Sequence, residues 1–186
     1  MVAALRNPAR IAVPSIGNPD GMVPEGIADV APWRDWATAA EGVLRFLHEH
    51  VGWDVWMVTR VEDDDQVVLA ARPEGAVRAG TRLPWSESFC QAMVEGTAPR
   101  VATVTAVVPE YASRTKGLGK DVAAYIGVPL VHPAPELFGT VCGFSFRAKP
   151  LSAARDLPVV EVMARMLSTL LAAGMAPPST PPPPPD

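Results

Sequence analysis

Two cysteine-bearing segments bracket the stretch that most constrains this chain, Trp85 to Phe146. The first reads Leu83-Pro84-Trp85-Ser86-Glu87-Ser88-Phe89-Cys90-Gln91-Ala92-Met93-Val94 and runs on to Gly96. Its spacing predicts a short helix over Ser86 to Glu95, with Phe89, Cys90 and Met93 on one face. The second predicts two strands, Ala123 to Leu130 and Phe138 to Phe146, joined by a hairpin loop that Pro133 and Pro135 stiffen. Strand alternation then sets Thr140, Cys142 and Phe144 on one face. Gly127, Gly139 and Gly143 inside these strands mark bulges or the close approach of another backbone or a ligand.

The rest of the chain supplies helices and a second hairpin. Trp33, Trp36, Ala40, Val43, Leu44, Leu47 and Val51 recur at helical spacing and Gly52 stops the run. Asp29 is a candidate cap, with Pro32 in the first turn. This helix either lies on a sheet or shares its apolar stripe with a second subunit. His48 and His50, two apart, do not share a face and read as charge partners for the helix C-terminus. Trp53 to Val61 predicts a strand with Trp53, Val55, Met57 and Val61 on one side and Trp56, Val58 and Arg60 on the other. Glu62 to Asp65 forms a solvated turn, lacking the alternating ligands and the glycine of a calcium loop. Gln66 to Arg72 returns as a strand.

Pro73 to Thr81 is a turn-rich connection, and Arg100 to Ala102 a brief strand. Thr103 to Val122 has little periodicity, with Pro109, Glu110 and Tyr111 opening a turn of helix, and reads as a binding loop or lid. His132 is expected to be exposed and inert. A last helix carries Leu157, Val160, Met163, Ala164, Leu167, Leu170 and Leu171, with Ser152 and Asp156 as candidate caps. Residues 1–28 hold four prolines and read as a disordered leader. Residues 176–186 hold seven and read as a disordered polyproline II tail. The folded domain is thus expected over 29–175.

Charge and hydropathy narrow the partners. The formal net charge is −4 with acids and bases interspersed, which argues against nucleic acid, because such binders carry a basic stripe. No window reaches 18 apolar residues; the best, Leu157 to Gly174, is broken by Glu161, Arg165, Ser168 and Thr169. Prolines also interrupt the N-terminus, so no signal peptide is expected. The expectation is a cytoplasmic protein without membrane or nucleic-acid partners, whose two cysteines are free thiols.

The order of elements, together with Trp85-Ser86-Glu87-Ser88-Phe89-Cys90, Tyr125-Ile126-Gly127-Val128-Pro129-Leu130 and Phe138-Gly139-Thr140-Val141-Cys142-Gly143, resembles a GAF domain over about residues 30 to 175. The Ser-Phe-Cys and Val-Cys-Gly pair is similar to the subset found ahead of bacterial diguanylate cyclase domains. The resemblance implies an α+β fold with a central antiparallel sheet of about six strands. The N- and C-terminal helices would pack on one face, and the short helix and loops would roof a pocket on the other. In the family that pocket holds cyclic nucleotides, tetrapyrroles, haem or other small molecules. Many members dimerise through the terminal helices and signal to a C-terminal output domain. No output domain follows here, so signalling in cis is not expected.

Reaction chemistry is not legible. No Cys-x-x-Cys, His-Glu-x-x-His or phosphate-cradling glycine loop occurs, and the histidines lie outside the bracketed elements. A GAF-like family that reduces free methionine sulfoxide with cysteines resembles this chain only in fold. Tetrapyrrole attachment needs a cysteine with His and Asp partners, and haem a proximal His from His132 or the first-helix pair. The cofactor therefore stays unknown. The reading is a non-catalytic sensory or regulatory homodimer, its pocket walled by Trp85, Phe89, Cys90, Tyr111, Tyr125, Cys142 and Phe144. Each of these residues could equally be core packing. The alternatives are a bare dimerisation or protein-interaction module, and a thiol switch using Cys90 and Cys142. Neither thiol has a basic neighbour in sequence; Arg100 or Lys116 could supply one only through the fold.

Overall fold

The computed structural model describes residues 30–114, 119–134 and 136–180. The chain divides before Trp33, where the larger of its two units begins. The expected leader, its Asp29 cap, Lys116 and the last residues of the tail lie outside the described residues.

Among the described residues, α1 spans Trp36–Val51, and β1 (Val55–Glu62) and β2 (Asp65–Arg72) form the first hairpin. β3 (Arg82–Pro84) is followed by α2 (Phe89–Val94), β4 (Val101–Ala102) and α3 (Pro109–Ala112). β5 (Ala124–Val131), β6 (Leu137–Ser145) and α4 (Leu157–Ala172) complete the order. The six strands form one sheet in the order β3-β2-β1-β6-β5-β4, and every neighbouring pair is antiparallel. No helix among the described residues is long and apolar enough to cross a membrane.

The two faces of the sheet are buried by different elements. On one, Trp36, Val43, Leu44 and Leu47 of α1 and Val160, Ala164 and Leu167 of α4 pack against Trp56, Val58, Ile126, Val128 and Val141. The Trp36 indole N–H donates to the Leu167 carbonyl oxygen at 3.1 Å and joins the two helices. On the other face, α2, α3 and their loops cover Val55, Met57, Val68, Tyr125 and Cys142. This is the α+β arrangement expected from the sequence.

Local chemistry moves several boundaries. Asp35, not Asp29, caps α1, its carboxylate accepting the Thr38 N–H at 2.7 Å, and Gly52 ends the helix at φ 74°. Trp33 precedes the helix and is 39% exposed. Trp53 precedes β1 and turns to the α4 side, opposite to the expected face, donating its indole N–H to Asp156 at 2.9 Å. That bond occupies the Asp156 side chain, which therefore makes no cap to α4. β6 stops at Ser145 because the Asp54 carboxylate takes the Phe146 N–H at 2.9 Å. β3 escapes sequence reading: it is three residues long and ends in a proline.

Both hairpins carry a bulge. Leu69 is left out of the β1–β2 register and Phe138 out of the β5–β6 register. The extra residue turns Phe138 onto the helix face, where its ring meets Trp36 edge-on at 5.4 Å. His132 rests against Phe138 at 5.3 Å and is half-buried, not exposed. His50 stacks on Phe46 and bonds the Phe46 carbonyl, whereas His48 Nδ1 is buried without a partner.

Candidate functional site

A cavity of about 150 Å³ lies between the sheet and the elements around α2. Val55, Met57, Gln66 and Phe144 form its sheet side; Val77, Leu83, Pro84, Phe89, Cys90, Gly119 and Val122, with the polar Glu87, Ser88 and Arg114, line much of the rest. Most of these walls are apolar, and the strands place them by simple alternation: Val55 and Met57 on β1, Phe144 on β6. A polar cleft lined by Ser86, Glu87, Ser113 and Arg114 adjoins the cavity and shares Glu87 and Arg114 with it.

The roof is positioned by α2. Trp85–Glu87 forms a single 3₁₀ turn, so the α-helix begins later than the spacing predicts. Ser88 caps it, accepting the Gln91 N–H at 3.0 Å while donating its hydroxyl to the Trp85 carbonyl at 2.8 Å. Phe89 and Cys90 then point down at the sheet. Arg114, at the end of α3, donates to the Glu110 carbonyl and, at 3.2 Å, to Gln91 Oε1, tying α3 to α2.

Beneath the cavity lies a cluster of polar groups with little solvent contact. Thr59, Gln66 and Thr140 are at most 2% exposed. The Thr59 and Thr140 hydroxyls are 2.8 Å apart, and Gln66 Nε2 donates to them at 2.9 Å and 3.2 Å respectively. Buried polar groups need such partners, so the three side chains stabilise one another. The cluster continues to sulfur. The Thr140 hydroxyl and the Tyr125 phenol each donate to Cys90 Sγ at 3.3 Å, and Thr140 Oγ1 lies 4.0 Å from Cys142 Sγ.

Those donors decide the thiol chemistry. Burial alone would raise the Cys90 pKa, but hydrogen bonds from Cys142, Thr140, Tyr125 and Gln66 outweigh it and bring it down to about 7. Cys142 moves well above the usual thiol range, because its proton serves the Cys90 sulfur and burial disfavours its charge. Burial likewise raises the phenols of Tyr125 and Tyr111.

The seven residues expected to wall a pocket divide into three groups. Phe89, Cys90 and Phe144 line the cavity. Tyr111, Tyr125 and Cys142 are fully buried beside it and absent from its wall. The Phe89 ring meets Tyr125 edge-on at 5.7 Å and Tyr111 at a tilt at 5.1 Å. Trp85 packs half-buried against the same cluster, also outside the wall. Arg100, a candidate base for the thiols, is instead paired with Glu161 at 2.6 Å. Gln66, Thr59 and Arg114 escaped the sequence reading, which set Thr140 on the face of Cys142 but gave it no role. Alternation alone would have placed Thr59 with Met57, but a threonine on a strand carries no signal of its own.

No family model matches the sequence, and no curated protein matches it. Solved structures do. A free methionine-R-sulfoxide reductase from Neisseria meningitidis, in complex with its substrate, aligns over 78% of this chain and 83% of its own, with TM-score 0.59 and 19% identity. The GAF domain of a phosphoenolpyruvate-protein phosphotransferase from Coxiella burnetii covers 78% of this chain and 90% of its own, with TM-score 0.58 and 18% identity. The chromophore-binding domain of Stigmatella aurantiaca phytochrome P1 covers 88% of this chain and 63% of its own, with TM-score 0.60 and 17% identity. At such identities the likeness concerns architecture alone. The chain has a GAF-like fold.

Proposed function

We propose that this domain is a non-catalytic sensor that binds a small molecule in the cavity under α2. The observation that carries the reading is the cavity itself: about 150 Å³, apolar on most sides, with Gln66, Glu87, Ser88, Cys90 and Arg114 as its polar groups. A cavity of that size takes a molecule of roughly benzene dimensions. It lies below the roughly 300–1,000 Å³ of sites for drug-sized ligands, which disfavours a tetrapyrrole or a cyclic nucleotide. A single ring or a short branched chain bearing one polar group fits better. Phe89, Cys90 and Phe144 are its proposed contacts, with Tyr111, Tyr125 and Cys142 supporting them from below and Trp85 alongside.

The proposed relay is a cytoplasmic homodimer formed by α1 and α4. Phe46 on α1 is 39% exposed, and Val159 and Val162 on α4 are 37% and 63% exposed. Apolar side chains on adjoining helices at that exposure support a protein contact. Sedimentation of Phe46→Glu and Val162→Glu variants tests this: dissociation supports it, and an unchanged mass removes it.

Native mass spectrometry of the full chain purified from its own host tests the ligand. A small molecule released on denaturation supports the sensor and names the ligand class; a ligand-free chain argues for an interaction module. Because a reductase of free methionine-R-sulfoxide shares this fold, that compound belongs in the same experiment. Turnover would replace the sensor by an enzyme.

A further inference from the structure

Cys90 and Cys142 are distant in sequence, yet the fold delivers them to one point. α2 lowers Cys90 onto the sheet where β6 presents Cys142, and Thr140 Oγ1 lies 3.3 Å from one sulfur and 4.0 Å from the other. Both thiols are free. Both are buried, Cys90 at 1% and Cys142 at 0% exposure, but only Cys90 lines the cavity. Simple packing of two small hydrophobes does not require two hydroxyls to converge on one sulfur.

We propose that Cys90 and Cys142 form a peroxide-reactive dithiol, with Cys90 attacking a small hydroperoxide that enters the cavity and Cys142 resolving the product. In the first step the Cys90 sulfur attacks one peroxide oxygen, an S–O bond forms and the O–O bond breaks. The leaving hydroxide or alkoxide takes the thiol proton, and Cys90 becomes a sulfenic acid. In the second the Cys142 sulfur attacks Cys90 Sγ, the S–S bond forms and the S–O bond breaks. The departing hydroxide takes the Cys142 proton as water. Two thiols lose two electrons, and the peroxide gains them.

The surroundings suit these roles. Thr140 and Tyr125 are positioning residues that hydrogen-bond the Cys90 sulfur, and Gln66 holds the Thr140 hydroxyl in place. A thiol that ionises near neutral pH is the one that reacts with peroxide. Cys142, protected from solvent and held protonated, is poised behind it. This inference does not depend on the ligand reading above, because a peroxide is small enough to enter an empty cavity.

The test treats the reduced full chain with hydrogen peroxide under native conditions, followed by intact mass and peptide mapping. The expected product is a monomer lighter by two hydrogens, with a peptide linking Cys90 to Cys142, and dithiothreitol restores the starting mass. Cys142→Ser should leave one oxygen on Cys90 that dimedone captures, and Cys90→Ser should slow oxidation of Cys142 by about tenfold or more. Thr140→Val should shift the pH profile of Cys90 alkylation upward, which a merely structural role would not do. Free thiols after peroxide treatment, a disulfide between chains, a sulfinic Cys90 without the link, or wild-type oxidation of Cys142 in Cys90→Ser would each overturn the proposal. Should a serine variant fail to fold by circular dichroism, the wild-type peptide map decides alone: the linked peptide supports the site, and separate thiols overturn it.

Discussion

The Thr140 hydroxyl on β6 lies 3.3 Å from the Cys90 sulfur on α2, and 2.8 Å from Thr59 on β1. One side chain thus joins the roof of the cavity to two strands of its floor. Replacing it by the isosteric valine leaves Thr59 and Gln66 short of a partner inside the core. Thr140→Val is expected to cost about 1–3 kcal/mol in urea denaturation, the usual penalty for orphaned buried polar groups.

The thiol pair makes stability depend on pH under reducing conditions. The Cys90 pKa is about 7 in the folded chain, against about 8.5 for a free thiol. Its contribution is therefore present above about 8.5 and is lost as pH falls through 7. Cys142 is shifted the opposite way, so its contribution is present below about 8.5 and is lost at higher pH. Urea midpoints should rise from pH 7 towards about 8.5 and fall beyond it. A flat profile over that window would contradict the assignment.

Gly139 and Gly52 are both glycines for physical reasons, but different ones. A Cβ on Gly139 would lie 1.9 Å from the Thr59 carbonyl oxygen on the neighbouring strand, and backbone cannot move aside cheaply. Gly139→Ala should cost about 3 kcal/mol. Gly52 has nothing within 4 Å of its would-be Cβ and only its φ of 74° to maintain. Gly52→Ala should cost about 1 kcal/mol.

Filling the cavity separates binding from folding. Val77 is half-buried on its wall. Val77→Phe is expected to keep the circular dichroism spectrum while the ligand released in native mass spectrometry disappears. Phe89→Ala, which removes the ring that contacts Tyr111, Tyr125 and Phe144, should instead cost about 3–5 kcal/mol.

The two N-terminal tryptophans, alike in the helical stripe, differ in the fold. Trp36 is fully buried and bonded to Leu167; Trp33 is 39% exposed. Trp36→Ala should cost about 3–5 kcal/mol, and Trp33→Ala about 1 kcal/mol or less.

The sequence by itself determined the class of fold, because helix and strand periodicities are local. The stripe from Trp36 to Leu47 and the alternation of Val55 with Met57 follow from 3.6- and 2-residue repeats, whatever surrounds them. It also placed Thr140, Cys142 and Phe144 on one face, as observed. Bulges broke this logic at Leu69 and Phe138, where one unpaired residue reverses the face and no sequence pattern announces it. Trp53 went to the helix side because Asp156, from the far end of the chain, offered its indole N–H a partner.

The site was legible only in part, since it is made by contacts between distant segments. Phe89 and Cys90 stood out as one face of a short helix, but which aromatics would line a cavity and which would sit beneath it depends on how deeply α2 docks. That depth set Tyr111, Tyr125 and Cys142 in the core and left Phe144 at the wall. The chain of hydrogen bonds that runs from Gln66 and Thr59 through Thr140 to Cys90 belongs to the tertiary structure alone: hydrogen bonds form over about 3 Å, and only folding brings three strands and a helix to that distance.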